Sequence, residues 1–310
     1  MFRLSFTHSS ILEEKTKLEV HMGRWGQDSN FDQGVIDSFG HEWARFKYLE
    51  GDSEEALDCQ FDAYCAPISL FNFNVNYSIA ADFGAGSGRW TSRLIPYFKL
   101  VYALEPSDGA SSVLQAKFNG NSKVKVLNQT VGENFIPDET LDLGISLGVL
   151  HHIPNTSLAI KDISRKIKGG GYFLCYLYYN LEDKPLFYRN IFKYIDLLRQ
   201  RISGMSHKQK KLVTIWIAVF IYWPLSRLSR PASGLGFDVK NFPLHQYARM
   251  PFKMLANDSL DRFGTVLEQR FSREDITEML REANFEIDTL VFSEFEPFWT
   301  FSIKKCVTGC

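Results

Sequence analysis

Between residues 78 and 180 the chain alternates short apolar runs with stretches whose apolar positions recur every three or four residues. This is the pattern of β-α-β units around a parallel sheet. The runs predict strands at Ser78–Phe83, Lys99–Leu104, Val124–Leu127, Leu141–Ser146 and Gly171–Leu177, each short and largely apolar, as strands covered on both faces are. The helical pattern is clearest after Asn155, where Ala159, Ile160, Ile163 and Ile167 share a face and Gly169-Gly170-Gly171 is expected to stop the helix. Residues 181–270 break the alternation and read as an insertion of helices and loops, a lid over the substrate. Ser272 and Asp275 then form a capping-box-like pair before a helix with Ile276, Met279, Leu280 and Ala283 on its inner face. Phe285–Phe292 and Trp299–Ile303 read as two last strands. The expected fold is α/β, a Rossmann-like sheet of seven mostly parallel strands. It divides into a helical, aromatic-rich leader (1–75), a ligand-binding core (76–180), the insertion (181–270) and a closing helix with two strands (271–310).

One apolar segment stands apart. Leu212 to Leu225 is hydrophobic almost throughout, with Lys210 and Lys211 before it and Arg227 and Arg230 after. At about 14 residues, with Pro224 near its end, it falls short of the ~20 that a spanning helix needs. It is expected to be a helix buried in the lid; the rival reading is a peripheral membrane contact through residues 212–225, with Trp216 and Trp223 at the boundary.

Charge and cysteine usage narrow the partners. The formal net charge of -1 supplies no field to gather phosphate backbones, so a small-molecule substrate is expected and nucleic acid is not. Cys59, Cys65, Cys175, Cys306 and Cys310 are odd in number and form no C-x-x-C pair, which predicts neither a disulfide framework nor a metal site. Cys59 and Cys65 read as packing residues. The N-terminus becomes charged by Glu13-Glu14-Lys15 without an apolar stretch, so a cytoplasmic protein is expected. Nothing in the sequence fixes the oligomeric state.

The candidate chemistry begins at Ile79-Ala80-Ala81-Asp82-Phe83-Gly84-Ala85-Gly86-Ser87-Gly88-Arg89-Trp90, an apolar strand entering a glycine-rich turn that opens a helix. Glycines there permit positive φ and close backbone approach to a ligand. A dinucleotide fingerprint would read G-x-G-x-x-G. Here the spacing is G-x-G-x-G, Arg89 stands where the third glycine should fall, and Asp82 precedes the turn. An acid suits the cationic methionyl part of S-adenosylmethionine and does not suit a pyrophosphate. Glu105, in Val101-Tyr102-Ala103-Leu104-Glu105-Pro106, ends the next strand about 20 residues on, where a carboxylate accepts hydrogen bonds from a ribose diol.

With Asp138-Glu139-Thr140-Leu141-Asp142-Leu143, Ser146-Leu147-Gly148-Val149-Leu150-His151-His152-Ile153-Pro154 and Lys168-Gly169-Gly170-Gly171, this series resembles class I S-adenosylmethionine-dependent methyltransferases. The branch is the one with an LHH segment, and the likeness covers roughly residues 78–178. Asp261-Arg262-Phe263-Gly264-Thr265 and Glu268-Gln269-Arg270-Phe271 resemble a bacterial subgroup of unknown substrate. The resemblance implies S-adenosyl-L-methionine as cofactor and S-adenosyl-L-homocysteine as product. It places Asp82, Gly84, Ala85, Gly86, Gly88, Glu105, Pro106 and Ser146 around the cofactor. The acid usual after the third strand is missing from Asn128-Gln129-Thr130-Val131-Gly132-Glu133, so Thr130 and the Val131 backbone are assigned to the adenine.

Methyl transfer needs alignment and, for a hydroxyl acceptor, a base. His151 or His152, after the fourth strand, is the candidate base, the other reading being that the pair only caps and packs the turn; Tyr176, Tyr178 and Tyr179, leaving the fifth, are candidate substrate contacts, of which alternation leaves at least one open to ordinary packing. The expected reaction is methylation, on oxygen, of a sugar, a lipid-linked intermediate or a secondary metabolite. The alternatives are an NAD-dependent oxidoreductase, which the glycine spacing disfavours, and a non-catalytic cofactor-binding regulatory module.

Overall fold

The computed structural model describes residues 30–43, 54–180, 186–234, 252–293 and 298–307. Most of the expected leader, including Trp25, Phe46 and Tyr48, lies outside the described residues, as do parts of the insertion.

In chain order the helices and strands are α1 (Gln33–Trp43), α2 (Glu54–Cys65), β1 (Ile79–Phe83), α3 (Arg89–Leu94), β2 (Leu100–Leu104), α4 (Asp108–Lys117), β3 (Val124–Leu127), β4 (Leu141–Leu147), α5 (Thr156–Lys166) and β5 (Ile167–Tyr178). There follow α6 (Leu186–Ser203), α7 (His207–Ile217), a π-helical segment (Ala218–Tyr222), α8 (Trp223–Gly234), α9 (Phe252–Gly264), α10 (Arg273–Glu282), β6 (Phe285–Phe292) and β7 (Phe298–Lys305). The seven strands form one sheet in the order β3-β2-β1-β4-β5-β7-β6. β1 to β5 run parallel where they pair, and β7 is antiparallel to both its neighbours.

Side-chain alternation sends strand residues to opposite faces of the sheet, and a large core forms on each. On one face Ala80, Val101, Leu143, Ile145 and Leu174 pack with Phe61 and Tyr64 of α2 and Trp90 and Leu94 of α3. On the other, Ala81, Phe83, Phe173, Cys175, Leu177 and Phe301 pack beneath Ile160 and Ile163 of α5 and Ile276 and Leu280 of α10. The helix starts follow the local chemistry: Asn155 accepts from Leu158 N at 2.9 Å, and Ser272 and Asp275 form the reciprocal capping box expected of them.

Three expectations are corrected. The triglycine does not stop α5, which ends at Lys166; Ile167 is already extended (ψ 134°) and pairs with Leu141 as the first residue of β5. Register then shifts between Leu141 and Leu143, and Gly170 adopts φ +79°. A Cβ on Gly171 would fall 3.0 Å from Leu141 O, so the glycines serve a bulge rather than a helix end. Cys59 is exposed on α2 instead of packed, whereas Cys65 is buried.

The third correction concerns Leu212–Leu225. Thr214, Ile217, Ala218 and Tyr222 turn inward, toward Ile202, Leu255 and Phe263. Leu212, Ile215, Trp216, Val219, Phe220 and Ile221 are exposed, and Trp223 is partly covered by Phe252 of α9, edge-on at 5.6 Å. The run is apolar on both sides, and among the described residues only one side is covered. The helix Lys208–Leu228, at 21 residues, is long and apolar enough to cross a membrane by length and composition.

Candidate active site

Strand order reverses between β1 and β4, and a ligand crevice forms at the carboxyl ends of strands at such a point. The turn leaving β1 has Gly84, Gly86 and Gly88 at φ +84°, +55° and +78°. Packing alone accounts for two of them: a Cβ on Gly84 would lie 2.5 Å from Val149, and one on Gly88 2.5 Å from Phe118. The turn is pinned by Gly84 N and Ala85 N, which donate to Leu104 O at 2.9 and 2.8 Å. The Ala85 side chain packs with Ala103 and Leu114, so only its backbone is available to a ligand.

Gly86 N donates to Glu105 Oε2 at 2.9 Å, and Ser107 N donates to Glu105 Oε1 at 3.0 Å, so each carboxylate oxygen is oriented by one backbone amide. Pro106 fixes the chain between Glu105 and Ser107, whose hydroxyl caps α4. Asp82 Oδ2 accepts from Thr91 Oγ1 at 2.7 Å. Both acids are buried. Burial pushes Glu105 up to about 7 and Asp82 up to about 6, partly offset by these hydrogen bonds. Among the described residues no cation pairs with either. Buried carboxylates without a cation are costly. A ligand carrying positive charge and hydroxyl donors would relieve that cost, which is the fit expected for S-adenosylmethionine.

The remaining cofactor candidates are placed less directly. Thr130 Oγ1 accepts from Glu133 N at 3.1 Å, and Val131 is buried with its carbonyl bonded to Asn134 Nδ2 at 2.6 Å; both brace the loop after β3. Ser146 is fully buried and donates to Phe83 O at 3.1 Å, tying β4 to β1.

After β4, Leu150–His152 forms a 3-10 turn that buries both histidines. His152 Nδ1 lies 2.7 Å from Leu267 O. A carbonyl only accepts, so Nδ1 carries the proton and the neutral ring's lone pair is on Nε2. His151 stacks on Tyr178 at a centroid distance of 3.8 Å, and neither of its ring nitrogens has a hydrogen-bond partner. Burial holds both rings below the ordinary histidine range, His151 well below it. Tyr176 and Tyr178 share the sheet face of His151. Tyr179 alternates to the other face, buried edge-on against Trp299 at 5.0 Å, so its expected substrate contact is corrected to a core role.

A layer that sequence reasoning left without a role closes over this turn. Residues 265–271 cross it, with Gln269 N donating to His151 O at 2.9 Å and Gln269 Nε2 to Ile153 O at 2.6 Å. Arg270 lies over the rings of Tyr178 (5.2 Å) and Phe192 (4.4 Å) and pairs at 2.5 Å with Glu268, whose second carboxylate oxygen is buried without a partner. Arg199 of α6 donates to Thr265 O at 2.9 Å, tying the helical insertion to the same segment. The available signal was charge between apolar neighbours, Glu268 and Arg270 amid Val266, Leu267 and Phe271.

Comparison with known proteins agrees with this geometry. Residues 81–175, from within β1 to within β5, match the family of methyltransferase domains. An uncharacterized methyltransferase of Bacillus subtilis, YcgJ, is 26% identical over 143 residues, 45% of this chain and 53% of that protein, so the chain spans about half the length of this curated relative. Among solved structures it is similar to an S-adenosylmethionine-dependent methyltransferase from Mesorhizobium loti (14% identity, 80% of this chain, 100% of that one, TM-score 0.49). It is also similar to human N-acetylserotonin methyltransferase (13% identity, 86% and 57%, TM-score 0.49). Those two likenesses are too remote to add to the assignment. It rests on the family match together with the sheet order, the glycine turn and the oriented carboxylate: the chain carries a class I S-adenosylmethionine-dependent methyltransferase domain.

Proposed function

We propose that the chain catalyses methyl transfer from S-adenosylmethionine to a hydroxyl of a small or medium acceptor in the cytoplasm: a sugar, a lipid-linked intermediate or a secondary metabolite. The observation that carries the cofactor half is the Glu105 carboxylate held by Gly86 N and Ser107 N beside a second buried acid, Asp82. When bound, S-adenosylmethionine supplies an electrophilic methyl group on a sulfonium. In this reading Glu105 accepts from the ribose hydroxyls, Asp82 offsets the ligand's positive charge, and the Gly84–Gly88 backbone lets it approach. The Val131 backbone and Thr130 border the adenine.

His151 is the proposed base. It is buried at the carboxyl end of β4 with two orphaned nitrogens, and leaving a buried polar group unpaired costs roughly 1–3 kcal/mol. An acceptor hydroxyl would satisfy one nitrogen and give up its proton there. His152 is bound to Leu267 O and is assigned a positioning role, holding residues 265–271 over the turn. Tyr176 and Tyr178 flank the acceptor. Equilibrium binding of S-adenosylmethionine, S-adenosylhomocysteine and NAD to the full chain tests the reading. The first two are expected to bind and NAD is not; NAD binding of equal strength would overturn the assignment in favour of an oxidoreductase.

A further inference from the structure

We propose that the outer face of the lid docks on the surface of an anionic lipid bilayer, with the helix Lys208–Leu228 lying in the plane of the interface. Along that helix Leu212, Ile215, Trp216, Val219 and Phe220 recur at intervals of three and four residues, so they form one stripe on the side away from the lid interior, while Trp223 at its end meets Phe252 of α9 edge-on at 5.6 Å. Leu212, Trp216 and Phe220 are 59%, 53% and 65% exposed, and the Trp216 and Phe220 rings stack at 5.1 Å. On α6, Tyr194, Leu197 and Leu198 repeat the same spacing and are exposed as well. A soluble helix normally keeps its apolar stripe inward. This one presents large apolar side chains outward along its length.

Charge selects the occupant. Residues 186–234 contain nine Lys and Arg and a single acid, Asp196, in a chain whose formal net charge is -1. Lys208 and Lys211, both exposed, precede the stripe, and Arg227 follows it with its guanidinium 4.1 Å over the Trp223 ring. Cations at the ends of an apolar stripe that includes Trp216 match the headgroup level of a negatively charged leaflet. A second copy of this chain would bring the same positive field to meet itself. A spanning orientation conflicts with the inward side: Ser259 of α9 bonds Thr214 O at 3.0 Å and Lys210 bonds Gly264 O at 3.0 Å. Taking the helix into the hydrocarbon would drag in α9, whose sequence includes Lys253, Asp258, Asp261 and Arg262. In the plane, the stripe reaches the acyl boundary while α9 stays on the protein side.

The lid joins the active site through Arg199 and Phe192. A corollary, which rests on the methyl-transfer reading, is that the acceptor is presented at that surface and is therefore lipid-linked. Docking itself needs no turnover, so its test is separate. The full chain is centrifuged with phosphatidylcholine vesicles, with and without phosphatidylglycerol, at low and high salt. Binding is expected to require phosphatidylglycerol, to weaken with salt, and to be released by alkaline carbonate. The double variants W216S/F220S and K208E/K211E are each expected to weaken it at least tenfold while S-adenosylmethionine affinity, which reports an intact core, is unchanged. No vesicle binding by the wild type, or equal binding by both variants, overturns the proposal. So does resistance to carbonate, which would mean a span. A dimer lost in W216S/F220S without any vesicle binding would overturn it too, since the stripe would then face a second copy.

Discussion

Glu105 and Asp82 are raised by burial above the ordinary carboxyl range near 4. The ligand-free folded chain therefore holds more protons than the unfolded chain between about pH 4 and 7, and these two groups make it less stable as pH rises through that window. A cationic ligand favours their ionised forms, so its binding releases protons there. Affinity for S-adenosylmethionine is expected to rise roughly tenfold or more from pH 5.5 to 7.5, and Glu105→Gln to bind weakly with much of that slope gone. Calorimetry in buffers of different ionisation enthalpy reads the proton release directly; a pH-independent affinity would contradict the roles given to both acids. For His151→Asn the expectation is a single-turnover rate down by on the order of 100- to 10,000-fold with cofactor affinity intact. His152→Asn should lose less, because an amide can still donate to Leu267 O. Near-normal rates in the first variant would make that ring a packing residue. Asp82, the glycines and Glu105 were legible in the sequence because a strand end and the turn after it are local. The orphaned state of His151 was not, since it depends on Tyr178 and residues 265–271 arriving from elsewhere.

At the scale of elements, the glycine turn separates structural need from ligand need. Gly84→Ala is expected to unfold at lower temperature by several degrees, because it combines a positive φ, costing about 1 kcal/mol, with a clash against Val149 worth roughly 1–3 kcal/mol. Differential scanning calorimetry checks this, and an unchanged transition would mean that Val149 yields freely. Ser272→Ala, which removes half of the capping box of α10, is expected to cost about 1 kcal/mol, read as a lowered urea midpoint with unchanged slope. Capping residues and the first four strands were readable to within a residue or so, since both signals sit in neighbouring positions. The start of β5 was misread because triglycine is what a helix end and a bulge both use. The pairing of Ile167 with Leu141, on another strand, decides between them. The Leu212–Leu225 run was misread for a related reason: apolar residues on both sides of a helix carry no mark of which side is covered.

For the whole molecule, Arg199 joins the helical insertion to the segment over the active-site turn. It is buried, pairs with Asp196 at 2.7 Å and donates to Thr265 O, so Arg199→Met is expected to loosen the lid by roughly 2 kcal/mol. Hydrogen exchange should quicken in α6 to α9 while the amides of β1, β4 and β5 keep their protection. Uniform quickening would show instead that lid and sheet open as one unit. The margins of the sheet carry a last consequence. β3 is only four residues long and bears the exposed Lys125, while β6, at the other margin, has a register shift between Glu286 and Val291 and exposes Asp288. Short length, charge and irregular pairing deny a foreign strand a flat row of free amides. The fold is thereby guarded against edge-to-edge aggregation, so a protein that shows bare tryptophan and phenylalanine on its helical side can stay dispersed at its strand margins.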